Sequence, residues 1–172
     1  RIAPTKKLRT EMPTAREIDE QVSILQETAR KISECFSSFG SRIDFKLAPE
    51  KWSARQILHH LTDSEVVLAY RLRTILSDQN PKMPGFDQNL WAATLAPELE
   101  ELALMKSCFE ANRNLTIRLL KKIPAALWEK KGVHEEAGEM RTYDLVVRNT
   151  KHCLSHLAQL EKLNELSKTV KA

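Results

Sequence analysis

Residues 14–40 read TAREIDEQVSILQETARKISECFSSFG. Thr14 and Glu17 have the spacing of a capping box, in which each side chain satisfies a backbone N–H left free at a helix start. From there Ile18, Val22, Leu25, Ala29, Ile32, Phe36 and Phe39 recur every three or four residues. That period lines them up on one face and predicts a helix over Glu17–Phe39. Gly40 supplies the stop, because glycine enters the left-handed conformation without penalty.

The same signals recur along the chain. Ser53 and Gln56 repeat the capping box, and Ile57, Leu61, Leu68, Leu72 and Ile75 continue it as a second stripe that Asn80-Pro81 ends. Residues 81–96 carry two prolines and Trp91 and read as an ordered, partly buried loop. Pro97 suits a first helical turn, and Glu98, Glu100 and Glu101 complement the positive end of a helix dipole. A third helix through Leu102, Met105, Phe109, Leu119 and Ile123 follows, stopped by Pro124. Residues 124–141, with Trp128, Gly132, His134 and Gly138, read as irregular. A last helix is expected from Thr142 to about Ser167. There are only 4 glycines in 172 residues, and no linker or repeat. The expectation is therefore one all-α domain over residues 1–172, a four-helix bundle.

Composition narrows the function. The charge of +4 is spread in short runs (Lys6-Lys7, Lys121-Lys122, Lys130-Lys131) with no interleaved aromatics, which argues against nucleic-acid binding. No run approaches the ~18 apolar residues of a membrane span, and the polar N-terminus has no apolar signal-peptide segment. Cys35, Cys108 and Cys153 form an odd set without C-x-x-C spacing, as expected of a cytoplasmic protein in a reducing compartment.

The last helix carries the chemistry. Its stripe reads Leu145, Asn149, His152, His156, Leu160 and Leu163. Histidines four apart stand one above the other, so both can reach one ion. Two readings stay open: paired core histidines satisfied by neighbours, or ligands of a metal. On the second helix His60 lies on the flank shared with Ser64 and Val67, while His59 is turned about 100° further and is expected to be exposed. Three imidazoles with a vacant fourth position match an open catalytic site better than a closed structural one. His134 reads as an exposed loop histidine that could join the site. Asp63, one turn after His60, is a candidate base or a supporting carboxylate. Arg148 either binds an acidic group on the substrate or pairs with Asp144 on the helix surface. Trp52, Trp91 and Trp128 read as core or loop anchors, with Trp52 pinning the start of the second helix.

The run Lys51-Trp52-Ser53-Ala54-Arg55-Gln56-Ile57-Leu58-His59-His60-Leu61-Thr62-Asp63-Ser64 resembles the signature of the DinB/YfiT-like superfamily. The likeness continues through Asn80-Pro81 and Trp91-Ala92 and resumes with Lys151-His152-Cys153-Leu154-Ser155-His156. It covers roughly Leu47 to Leu163 and is nearest the YfiT-like branch, whose members are described as metal-dependent hydrolases. The resemblance implies a four-helix bundle, often homodimeric, that holds one divalent metal ion per chain, zinc or nickel. Its ligands would be His60, counted from Trp52, and the pair His152 and His156. Cys153 departs from the branch, where a histidine is frequent; one residue past a ligand, it reads as a buried free thiol.

Two chemistries follow from such an ion: activation of a bound water for hydrolysis of a small-molecule substrate, or capture of a low-molecular-weight thiol as an S-transferase would need. Some relatives use bacillithiol, mycothiol or glutathione in that way. A non-catalytic, stress-linked metal-binding protein is the third reading.

Overall fold

The structure, a computed structural model, describes residues 12–169. Four long helices form the body: α1 (Ala15–Ser38), α2 (Ala54–Ser77), α4 (Leu102–Leu120) and α6 (Thr142–Thr169). Both capping boxes are made. Thr14 and Glu17 exchange bonds at the head of α1, and Ser53 and Gln56 do so at the head of α2. Gly40, at φ 53°, follows α1 and opens a short 3-10 turn at Gly40–Arg42.

Side-chain pairs across the bundle give its topology. Thr150 bonds Gln21, and Asn164 bonds Ser38, so α6 runs parallel to α1. Phe36 meets Phe109 while Arg113 reaches back to Thr28, so α4 is antiparallel to α1. Thr62 faces Met105 and Glu65 faces Arg113, so α2 is parallel to α4. The order is up, down, down, up. α1 packs against α4 and α6, and α2 against the same two, so α2 lies diagonally across from α1 and α6 from α4. The core has two apolar layers, one around Phe36, Ile57, Leu61 and Phe109, the other around Leu25, Leu72, Trp128 and Met140.

The connections depart from expectation in three places. Pro97 does not open the third long helix; Pro97–Leu99 is a separate 3-10 turn after Ala96 at φ 45°, and α4 starts at Leu102. Residues 81–96 hold β1 (Lys82–Met83) and α3 (Gln88–Thr94), the latter capped by Asp87. Residues 124–141 are not irregular. They contain α5 (Ala125–Trp128) and the hairpin β2 (Lys131–His134) and β3 (Gly138–Arg141), with β1 added parallel to β2. These strands are two to four residues long, too short for alternation to show in the sequence. Gly138, at φ 75°, lets the chain leave the hairpin turn. The sheet lays β1 and the turn at 135–137 over one end of the α2/α6 groove. No described helix is long and apolar enough to cross a membrane.

Candidate metal centre

His60 comes from the second turn of α2, His152 and His156 from α6, and each offers a ring nitrogen within 4.8 Å of the others. The Nε2 atoms of His60 and His152 are 2.9 Å apart. The rings of His152 and His156, one turn apart, are 4.5 Å between centroids, and His60 sits 4.9–5.0 Å from both. His60 is buried and the other two are half-buried. On α6 the most buried line runs through Cys153, Leu157 and Leu160. The two histidines therefore flank the core instead of standing in its middle, and His152 is left open to a cavity.

Aromatic rings hold the cluster. His60 lies between Trp52, 5.2 Å away, and Phe86, 6.2 Å away, and Trp52 also stacks at 6.5 Å on His156. Trp52 thus walls the histidines, a role beyond the helix anchor read from sequence. Trp91 reaches the site through Phe86, at 4.9 Å. Trp128 packs in the second core layer against Tyr143.

Burial, reinforced by neighbouring imidazoles, pushes His60 down to about 3 and His152 to about 4; burial also lowers His156, against its bond to Gln159. All three are neutral at pH 7, the form that offers a lone pair to a cation. His156 Nδ1 pairs with Gln159 Oε1 at 3.0 Å, which leaves Nε2 for the site; a metal-binding histidine is commonly oriented in this way. Zinc–imidazole bonds of about 2.0–2.1 Å at tetrahedral angles put ligand nitrogens about 3.3 Å apart. That separation falls within the spread seen here, so the three residues fit one divalent ion. Three neutral imidazoles would leave such an ion's charge uncompensated.

A cavity of about 770 Å³ adjoins the cluster. His60 and His152 close one end, and Ser64, Leu68, Leu145 and Asn149 form the walls. Arg71, Arg148, Glu135 and Glu136 also line it. Arg71 donates to the Pro84 carbonyl through Nε at 3.1 Å and Nη2 at 2.6 Å, and its guanidinium lies 5.9 Å over Phe86. Arg148 is exposed, 3.8 Å from Glu136. The expected Arg148–Asp144 pair does not form, because Asp144 is taken by Arg141 at 2.8 Å.

The remaining candidates stand elsewhere. Asp63 is outside the cavity lining, its carboxylate 3.1 Å from His59 Nδ1. His59 is buried, not exposed: Asp63 holds it, and that hydrogen bond raises its pKa. His134 is 1% exposed on β2, its Nδ1 accepting from the Glu136 and Ala137 backbones at 3.2 and 3.3 Å. It caps the hairpin turn and is not one of the three clustered histidines. Cys153 is a buried free thiol, raised by burial to about 11.

Sequence reasoning missed Glu65 and Arg113, both wholly buried behind the site. Arg113 donates to Glu65, to the Leu25 carbonyl, to Thr28 Oγ1 and to Cys153 Sγ. The signal was there: Arg113 follows Phe109 by four, inside the third apolar stripe, and Glu65 lies one turn after Leu61.

A profile of the DinB superfamily matches residues 10–160. The chain belongs to the DinB superfamily. Within it, a protein of Oceanobacillus iheyensis named "Putative metal-dependent hydrolase" is 27% identical over 155 residues, covering 88% of this chain and 87% of its own. YfiT of Bacillus subtilis, under the same name, is 20% identical over 149 residues, 84% of each chain. The solved structure of YfiT, described as having an unusual four-helix bundle topology, superposes with a TM-score of 0.83 at 17% identity. It covers 93% of this DinB-superfamily chain and 92% of YfiT. That likeness shows the fold, and the up-down-down-up order fits the description.

Proposed function

We propose that this chain is a metal-dependent hydrolase in which His60, His152 and His156 hold one zinc or nickel ion. The observation that carries the reading is the convergence of three neutral imidazoles from two helices at one end of a cavity large enough for a small molecule. The names of the relatives support the same reaction class. When bound, such an ion supplies Lewis acidity and lowers the pKa of a water ligand to about 7. The protein's own part is to position and shield. Trp52 and Phe86 keep bulk water from His60, and Leu68 and Leu145 bury the substrate's apolar body. Arg148 stands ready for an acidic group. Asp63 is committed to His59, and neither residue lines the cavity.

A second reading, a thiol-dependent S-transferase, draws on the position of Asp63. With that carboxylate committed to His59, Asp63 is not placed to take a proton from a bound water, and a metal held by the three histidines would favour a thiol, which loses its proton on coordination more readily than water does. One assay separates the two. Zinc- or nickel-loaded protein is given p-nitrophenyl acetate and an alkyl halide, each with and without glutathione, bacillithiol or mycothiol. Ester cleavage that needs the metal but no thiol supports the hydrolase. Alkyl transfer strictly dependent on a thiol, with no ester cleavage, replaces it with the transferase.

A further inference from the structure

The cavity wall beside the histidines carries two polar groups that the packing leaves open. Ser64 is 7% exposed, and its shielded Oγ has no hydrogen-bond partner among the described residues. Hydroxyls within helices usually bond back to the carbonyl four residues earlier, as Thr28, Thr62 and Ser77 do here. Ser64 does not. A shielded hydroxyl without a partner is destabilising, so a ligand atom that bonds it relieves that cost.

Asn149 lines the same cavity. Arg113 Nη2 donates to Cys153 Sγ at 3.1 Å, which leaves the thiol proton for Asn149 Oδ1 at 3.6 Å. The order of the chain is Glu65, Arg113, Cys153, Asn149, each fixed by the one before. It commits the amide oxygen to the protein and leaves the amide N–H groups without a partner among the described residues. Ser64 follows His60 by four residues, and Asn149 precedes His152 by three. Because α2 and α6 are antiparallel, both steps lead the same way, about 5–6 Å from the histidines along the helix axes. Val67, Leu68 and Leu145 beyond them are apolar.

We propose that Ser64 and Asn149 form a polar shelf that grips a second oxygen on the ligand, next to the atom bound by the metal. The shelf selects carboxylate compounds over ligands with a single binding atom. This rests on the metal reading above, so its test measures metal content separately. Wild type, Ser64→Ala and Asn149→Leu are loaded with cobalt(II). Cobalt per chain is counted, and acetate and imidazole are titrated by the visible spectrum.

Each variant keeps its cobalt and binds imidazole as wild type does, while acetate affinity falls about five- to tenfold, the equivalent of one hydrogen bond. Metal-free Ser64→Ala melts at or above the wild-type temperature, because it loses a hydroxyl that nothing in the protein satisfied. Acetate affinity that is unchanged, or that falls in step with imidazole, overturns the shelf. Wild-type protein that takes up no cobalt overturns the metal reading, and the shelf with it. Should Asn149→Leu fail to fold, the comparison between Ser64→Ala and wild type decides alone.

Discussion

Replacing Glu65 by leucine should be among the most damaging single changes available to this bundle outside its apolar layers. Both Glu65 and Arg113 are 0% exposed, and every N–H of the guanidinium has a directed acceptor: Nε and Nη2 on the carboxylate, Nη1 on Leu25 O and Thr28 Oγ1, Nη2 again on Cys153 Sγ. Glu65→Leu leaves a buried cation with two donors unpaired and no counter-charge, which costs about 3–5 kcal/mol. A domain of this kind has about 5–15 kcal/mol in all. Arg113→Met strands the carboxylate and should cost a similar amount. The double variant should recover most of the loss. An apolar pair of like volume is often neutral, and Thr28 keeps its bond to the Ile24 carbonyl at 2.8 Å. Urea unfolding of the four proteins followed by circular dichroism closes the cycle. A Glu65→Leu loss below about 1 kcal/mol, or single losses that simply add in the double variant, would refute the reasoning.

Three further outcomes follow from local geometry. His134 accepts two backbone N–H groups at Nδ1, so it folds neutral, and burial holds its pKa below the ordinary value. The unfolded chain therefore takes the proton first as pH falls below about 6.5. Stability due to His134 is present above that pH and drains away beneath it, by at most about 1.4 kcal/mol per pH unit. His134→Asn should flatten the urea-derived stability between pH 7 and pH 5 relative to wild type; parallel curves would show that the ring titrates freely. Ser53→Ala removes the acceptor for Gln56 N at the head of α2 and should cost about 1 kcal/mol in the same assay. Gly138→Ala meets no atom within 4 Å but keeps φ at 75°, so its loss, about 1–2 kcal/mol, is backbone strain alone.

The long helices were legible because caps and stripes are local signals: Thr14, Ser53 and the apolar periods needed no partner to be read. Their arrangement was not, since nothing in a stripe says which corner of a bundle it occupies. The hairpin at 131–141 escaped for a different reason. Its strands are held by pairing with each other and with Lys82-Met83, a contact about fifty residues away in sequence. His152 and His156 could be singled out from spacing, and His60 from its helix face and from resemblance. The exposure expected of His59 failed because it took the histidine alone, while Asp63 four residues on gives the ring a buried partner. Ser64 and Asn149 were visible as members of stripes, but that they lack partners is a property of the packed structure.

The central claim is that one ion sits on His60, His152 and His156. Metal analysis of purified wild type, His60→Ala and His59→Ala after identical dialysis tests it most directly. Wild type and His59→Ala should each retain close to one zinc or nickel per chain, and His60→Ala should lose most of it. Wild-type protein free of metal, or His59→Ala and His60→Ala losing it equally, would contradict the account.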